Sequence, residues 1–196
     1  MTDAKGLPRF EDLYAHARKV LADGGYRPGD RIGVKDLATH LSTSATPARE
    51  ILSRLVGQGL VQEHRAEGYY LRSLDERQVS MLYRLHALCV DEALRNGDAH
   101  TVEPIAAVPD PWTMFDAVVE ATGEIVLGDV RRFLHARLAL LLRCEAMVFD
   151  DLASEADELA LRLDDPDRAT RRRAALAFHR RRIAKARQLA FLLSRR

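Results

Sequence analysis

The chain has 196 residues and a formal net charge of +1, from 30 basic and 29 acidic side chains. This length accommodates two domains of ordinary size. The balanced charge excludes a protein that attaches to polyanions by bulk electrostatics alone. The polar N-terminus and the lack of a long apolar run indicate a cytoplasmic protein without a membrane span. Cys89 and Cys144 lack metal-ligand spacing and are expected to be small buried side chains.

The first predicted elements are two helices separated by a turn. The first helix carries apolar residues at helical spacing and ends at Gly24-Gly25, before the turn Pro28-Gly29-Asp30. The second helix is shorter. Their predicted buried residues are Phe10, Leu13, Tyr14, Ala17, Val20 and Leu21 in the first and Val34, Leu37, Ala38 and Leu41 in the second.

A third helix is predicted from Ser44-Ala45-Thr46-Pro47, where a hydroxyl can cap free backbone N–H groups and proline fits the first turn. Its inward face consists of Ala48, Ile51, Leu52 and Leu55. The outward face carries Thr46, Arg49 and Ser53, so it is short, polar and holds one guanidinium. Gly57 and Gly59 end this helix.

A hairpin follows the third helix. Leu60-Val61 begins a strand, Arg65 to Gly68 forms the tip, and Tyr69-Tyr70-Leu71 returns. Two short amphipathic helices followed by such a hairpin are typical of a winged helix-turn-helix, which places one helix in a DNA groove.

The segment resembles the DNA-binding domain of GntR-family bacterial transcription regulators over roughly the first 75 residues. The motifs that carry the resemblance are Pro28-Gly29, Leu37-Ala38, Ser44-x-Thr46-Pro47-x-Arg49-Glu50, Gly59-Leu60-Val61 and Gly68. The resemblance implies a set of DNA-binding residues: Lys35, Ser44, Thr46, Arg49, Arg65 and Gly68. Arg49 is suited to a guanine edge, whereas Lys35, Ser44 and Arg65 are suited to phosphates.

Two positions depart from the family pattern. Ala45 stands where the family usually has arginine, and Glu67 precedes the wing glycine where a basic residue is common. Both departures remove positive charge from the expected DNA face. A lower affinity or a different operator half-site is the expected consequence. A winged helix that binds only proteins is the alternative interpretation of this segment.

The second domain is expected to span residues 75–196 and to be an all-helical bundle, because no strand pattern appears there. The pattern predicts one helix from about residue 79 to 96, a loop over 98–112 and a short helix around Phe115. A long helix over 126–149 and two more over 151–163 and 166–194 complete the domain. Its apolar excess is also suited to a dimer interface. The arginine runs 171–173 and 180–182 are expected to form a solvated helix face with interhelical ion pairs.

The resemblance extends to the FadR-like branch, whose helical domain binds a small effector and often a metal through an Asp-x-x-x-His pair and two later histidines. Here Arg131 stands four residues before His135, Asp129 is six residues away, and Asp157 replaces one later histidine. Only His179 remains of the later pair, so no metal is expected. His135 and His179 are candidates for the effector pocket, although a hydrogen-bonded core histidine is the simpler interpretation of each.

The sequence therefore predicts a mainly α protein: residues 1–74 form a winged helix-turn-helix and residues 75–196 an all-α bundle. The expected function is a homodimeric, sequence-specific transcription regulator, in most such cases a repressor, that binds a double-stranded operator and responds to an unknown small-molecule effector. The alternative is a constitutive DNA-binding or scaffold protein whose helical domain only dimerises. No nucleophile elbow, phosphate loop or catalytic metal motif favours an enzyme.

Overall fold

The computed structural model describes residues 9–96 and 110–195. The chain divides into two compact units between Ser73 and Leu74. We refer to them as the winged-helix unit and the helical unit. Most of the predicted loop over 98–112 lies outside the described residues.

The winged-helix unit contains three helices and a small antiparallel sheet. Its elements in chain order are α1 (Phe10–Ala22), β1 (Arg31–Ile32), α2 (Val34–His40), α3 (Ala45–Gly57), β2 (Val61–His64) and β3 (Gly68–Leu71). The strand order is β1-β3-β2, so β3 pairs with both neighbours. The strand β1 was not predicted, because two residues are too few to show an alternating pattern.

The core of the winged-helix unit holds α3 in place. Ala48, Ile51, Leu52 and Leu55 are completely buried, which confirms the predicted inward face. Ser44 is the N-cap residue of α3, but its hydroxyl makes no capping hydrogen bond. The predicted capping by this hydroxyl is therefore wrong, and the side chain stays exposed for another partner.

Every described element of the helical unit is a helix, as predicted. The elements are α4 (Glu76–Asn96), α5 (Pro111–Glu120), α6 (Ile125–Leu138), a 3-10 helix (Ala139–Leu141), α7 (Leu142–Val148), α8 (Leu152–Leu163), α9 (Arg168–Ala184) and α10 (Ala186–Ser194). None of the helices in these ranges combines the length and apolar composition that a membrane span requires.

Two predicted long helices are each broken in the structure. The helix expected over 126–149 is interrupted by the 3-10 helix, and the helix expected over 166–194 is interrupted at Lys185. Lys185 donates its backbone N–H to Arg182 and Ile183, which ends α9. Neither break contains glycine or proline, so the sequence has no local signal for it.

The apolar residues of α6 divide between two faces. Leu134 and Leu138 are buried, whereas Val126 is 75% exposed and Val130 is 46% exposed. The helical spacing of Val126 and Val130 with Leu134 and Leu138 predicts one buried stripe, which is wrong for Val126 and Val130. Val126 and Val130 are therefore apolar side chains that a single copy of the chain leaves exposed to solvent.

A buried ion network joins four helices of the helical unit. Arg182 on α9 is 1% exposed. Its Nε donates to Glu145 of α7 at 3.0 Å, and its two terminal nitrogens donate to the two Glu155 oxygens of α8 at 3.0 and 2.8 Å. Tyr83 of α4 donates its hydroxyl to Glu145 at 2.6 Å. The network replaces water with fixed partners around the buried charges of Arg182 and Glu145 and the partly buried charge of Glu155.

The arginine runs of α9 form the predicted interhelical ion pairs. Arg172 pairs with Asp91 of α4, at 2.6 Å from its Nε, and Arg181 pairs with Asp151. The predicted solvated face holds for Arg173 and Arg180, which are exposed, but is wrong for Arg171 and Arg182, which are buried. Helical spacing places one end of each run inside the bundle, Arg171 in the first run and Arg182 in the second.

Candidate nucleic-acid interface and buried histidine cluster

The first two turns of α3 present Thr46 and Arg49 to solvent, directly after the exposed Ser44. Ala48 and Leu52, on the same turns, are completely buried and orient this face outward. No carboxylate in the described part of the chain lies within ion-pair distance of Arg49. Its guanidinium is therefore available to an external acceptor.

The other three predicted DNA-binding residues lie in α2, in the turn between β2 and β3, and at the start of β3. Lys35 is exposed in the first turn of α2, and Arg65 is exposed in the turn between β2 and β3. Gly68 begins β3 with φ = +107°, a conformation that residues with a Cβ rarely adopt. The structure thus places all six residues in one unit, with only Ser44, Thr46 and Arg49 on the same helix.

A pair of wing residues near Arg49 was missed by the sequence analysis. Tyr69 and Glu63 are directly opposite in the β2–β3 register. Burial and the Glu63 carboxylate raise the pKa of the Tyr69 phenol, whereas Arg49 acts in the opposite direction. The wing therefore carries a phenol that interacts electrostatically with the guanidinium of α3 and is paired with a carboxylate on the neighbouring strand. The alternation of strand residues was the available signal for this side of the wing.

The helical unit contains a buried pair of histidines. His86 of α4 and His179 of α9 are both completely buried, and His86 Nδ1 lies 2.8 Å from His179 Nε2. His179 Nδ1 lies 2.6 Å from the Ala175 carbonyl oxygen, so it donates its proton there. His179 Nε2 must then accept from His86 Nδ1, which assigns the tautomers of both rings.

Aromatic rings enclose this pair. Trp112 is edge-on to His86 at 5.2 Å between ring centroids, and Phe115 lies 5.0 Å from His179. Burial lowers the pKa of His179 to about 4. Burial also lowers the pKa of His86 well below its usual value. Electrostatic repulsion from His179, His135 and Arg131 adds to this effect. Both rings are therefore neutral at physiological pH.

His135 occupies a different environment from His179. It is half-buried on α6, where its Nδ1 lies 3.2 Å from an Asp116 oxygen. Arg131 also binds this carboxylate and is 4% exposed. The sequence analysis did not identify Asp116, because it lies on α5, 19 residues before His135.

These residues do not fit a divalent metal. The carboxylate beside His135 is already bound by the guanidinium of Arg131, which would repel a cation. The remaining histidine of the implied set, His179, uses both ring nitrogens in bonds to protein groups. Within the described ranges, no three His, Cys, Asp or Glu side chains converge as metal ligands.

An open groove of about 590 Å³ lies along α8 and α9 of the helical unit. Leu159 and Phe178 provide apolar surface, and Glu155 and Arg181 are among its charged lining residues. Phe178 also contacts Trp112 and His179, with ring centroids 5.7 and 5.3 Å away. The groove therefore adjoins the aromatic shell of the histidine pair.

Comparison with known proteins assigns the winged-helix unit. Residues 10–71 match the family described as "Bacterial regulatory proteins, gntR family". The chain is 32% identical over 127 residues to the Nta operon transcriptional regulator of Aminobacter aminovorans, an alignment covering 63% of this chain and 59% of the relative. It is 28% identical over 97 residues to the uncharacterized HTH-type transcriptional regulator YdhC of Bacillus subtilis (strain 168), covering 45% of this chain and 43% of that relative.

Solved structures share the fold over nearly the whole chain. A putative transcriptional regulator GntR from Rhodococcus sp. RHA1 has a TM-score of 0.71 at 17% identity, covering 91% of this chain and 97% of that one. E. coli McbR/YncC has a TM-score of 0.66 at 19% identity, covering 93% and 98%. These similarities confirm the predicted winged helix followed by a helical domain. The N-terminal unit of this chain is a winged helix-turn-helix whose residues 10–71 match the model of the GntR family of bacterial regulatory proteins.

Proposed function

We propose that this protein is a sequence-specific DNA-binding transcription regulator, acting in the cytoplasm as a homodimer and most simply as a repressor. The observation that carries the proposal is the outward face of α3, where Ser44, Thr46 and Arg49 are exposed without a described ionic partner for the arginine. The GntR-family match of residues 10–71 supports the same conclusion. The Aminobacter relative is itself named as an operon transcriptional regulator.

In this proposal α3 enters the major groove and Arg49 reads a base edge. A guanidinium can donate two hydrogen bonds to guanine O6 and N7, a contact worth about 1–3 kcal/mol of discrimination. Lys35, Ser44 and Arg65 contact phosphates and set the position of the helix.

Replacing Arg49 with alanine is expected to remove most of the preference for the cognate sequence. The affinity for that sequence should fall by about 5- to 150-fold, the equivalent of 1–3 kcal/mol, while binding to scrambled DNA changes little. Fluorescence anisotropy on a duplex selected by the wild-type protein measures both affinities.

Arg54→Ala is the matched control for Arg49→Ala. Arg54 lies on the same helix but pairs with Glu11 at 2.6 Å and stacks over Tyr14 at 4.1 Å, so it is engaged with α1. We expect this variant to retain sequence preference. Equal preference in wild type and Arg49→Ala would contradict the reading role of Arg49.

Two adjacent helices of the helical unit carry the apolar surface proposed for dimerisation. Met81, Leu85 and Leu88 are 47%, 43% and 63% exposed and follow one face of α4. Ile125, Val126, Val130 and Phe133 are exposed on α6. The two helices pack together, and Cys89 Sγ lies 3.6 Å from the Leu127 carbonyl oxygen. We name these seven side chains the α4–α6 apolar face and propose that a second copy covers it.

Leu88→Glu is expected to convert the dimer to a monomer, because two buried carboxylates would face each other across a two-fold interface. Sedimentation velocity at micromolar concentration measures the change. Leu161→Glu is the control, since Leu161 is 73% exposed but lies on α8. Dissociation by Leu161→Glu alone, with Leu88→Glu still dimeric, would place the interface elsewhere.

We propose that the helical unit belongs to the FadR-like branch and binds a small effector, with the groove along α8 and α9 as its entry. His179 and His135 are the candidate effector ligands. His179 contacts Phe178, a side chain of the groove, and His135 contacts Arg131. The alternative is a helical unit that only dimerises. This alternative is favoured by the fact that both His179 nitrogens are already bonded to protein groups.

A thermal-shift screen of metabolites distinguishes an effector-binding unit from one that only dimerises, because an effector raises the melting temperature. Effector control is refuted if no stabilising compound changes DNA affinity.

A further inference from the structure

The outer face of the wing carries a guanidinium that the proposed DNA-binding set does not include. Arg31 is exposed on β1 and stands opposite Tyr70 of β3. The next residue of β1, Ile32, is 2% exposed and faces the core. Since side chains alternate along a strand, Arg31 lies on the sheet face that points away from the core.

Gly68 leaves open the space that the Arg31 guanidinium occupies. A Cβ at Gly68 would stand 3.3 Å from Arg31 Nε and 3.5 Å from a terminal nitrogen of the same group. Gly68 is two residues from Tyr70 in the direction of the β2–β3 turn. The Arg31 side chain therefore extends along the sheet toward the wing tip, over space that a larger residue would fill.

The Arg31 guanidinium has five donors and no carboxylate within ion-pair distance among residues 9–96 and 110–195. Its neighbour Asp30 instead accepts the backbone N–H of Arg27 at 2.8 Å. Two other exposed basic residues lie on the neighbouring hairpin. His64 stands opposite Gly68 and contacts Tyr70 edge-on at 5.0 Å, and Arg65 follows in the turn.

We infer that Arg31 is a DNA contact, and that it binds the phosphate backbone beside the bases read by α3. The inference rests on the proposed DNA-binding function. A planar guanidinium matches two phosphate oxygens, and the lack of a Cβ at Gly68 leaves room for the Arg31 guanidinium beside the sheet. Arg31 supplies a positive charge at the wing, where Glu67 stands in place of the basic residue that is common in the family.

Arg31→Gln tests this contact through the salt dependence of binding. Loss of one phosphate contact should reduce the slope of log affinity against log salt by about 0.9. The affinity advantage of wild type over the variant should then shrink about threefold between 50 and 200 mM salt, the change that this slope implies. The ratio of cognate to scrambled affinity should stay constant, since a phosphate carries no base identity.

Two further variants separate charge from structure. Arg31→Lys keeps the charge and is expected to retain the wild-type salt slope at lower affinity. Arg27→Gln removes an exposed cation near the opposite end of the sheet, where Gly29 donates to the Leu71 carbonyl, and should leave the slope unchanged. Thermal melting of each variant reports whether the fold is intact.

The outcomes are distinct. An unchanged salt slope in Arg31→Gln overturns the contact, as does a variant that loses sequence preference at a constant slope. If the wild-type protein itself shows no salt-dependent DNA binding, the proposed function has failed and the inference falls with it. A slope reduced in Arg31→Gln and kept in Arg31→Lys and Arg27→Gln supports the contact.

Discussion

Replacing Arg182 with methionine is expected to destabilise the helical unit by about 3–5 kcal/mol. Methionine fills a similar volume but supplies none of the three hydrogen bonds from Arg182 to Glu145 and Glu155. Glu145, which is almost fully buried, would then lose its cation, whereas Glu155 would keep its ion pair with Arg181 at 3.1 Å. Removing one partner of a buried ion pair leaves the desolvation cost of the other uncompensated. Urea unfolding followed by circular dichroism measures the loss.

Arg180→Met is the matched control, because Arg180 is an exposed residue of the same helix. It should change the free energy of unfolding by less than about 0.5 kcal/mol. Adding Glu145→Gln to Arg182→Met should restore part of the stability, since the uncompensated charge disappears. Equal effects of Arg182→Met and Arg180→Met would show that the network contributes nothing to folding.

The histidine pair is expected to make the helical unit unstable in mild acid. The pKa of His179 is about 4 in the folded state and about 6.5 in the unfolded state. Above pH 6.5 both states hold this ring neutral, so its titration contributes no pH dependence. Between pH 6.5 and 4 only the unfolded state gains the proton, which costs about 3 kcal/mol of stability over that window. His86 acts in the same direction because its pKa is also lowered.

Two buried carboxyl groups, Glu145 and Asp91, also titrate with folding, but neither adds to the loss of stability between pH 6.5 and 4. Burial raises the pKa of Glu145, so its folded state takes up a proton first and becomes more stable as pH falls. The ion pair with Arg172 lowers the pKa of Asp91, so that its contribution is lost only below the histidine window. Glu145→Gln removes the opposing contribution and isolates the effect of the histidines.

Trp112 is the chain's single tryptophan and lies against His86, so its fluorescence reports unfolding of this region. Urea titrations at intervals from pH 7.5 to 4.5 should show a constant free energy of unfolding down to about pH 6.5 and a fall below it. His16→Gln, at an exposed histidine of α1, should leave this profile unchanged. A flat profile in the Glu145→Gln background would contradict the burial of a neutral histidine pair.

Local patterns in the sequence were sufficient for the winged-helix unit. The inward residues of α3 follow helical spacing, and the glycine-bounded hairpin indicates the wing. The outward residues Thr46 and Arg49 follow from the same spacing. Arg31 was missed because its role depends on β1, a two-residue strand that is visible only once it pairs with β3.

The helical unit was predictable as a class but not in its details. Its helices follow from apolar spacing, yet the exposure of Val126 depends on which neighbours cover α6. His86 and His179 are 93 residues apart, and Arg182 joins helices that the sequence does not order in space. Partners so distant along the chain leave no periodic signal, because packing alone brings them together.

Sequence-selective DNA binding by the wild-type protein tests the central claim most directly. Fluorescence anisotropy would compare a duplex from the protein's own upstream region with a scrambled duplex of the same composition, at several salt concentrations. We expect a preference of at least about a thousandfold for the cognate duplex, with two chains bound per duplex. Equal affinity for both duplexes at every salt concentration would contradict the account.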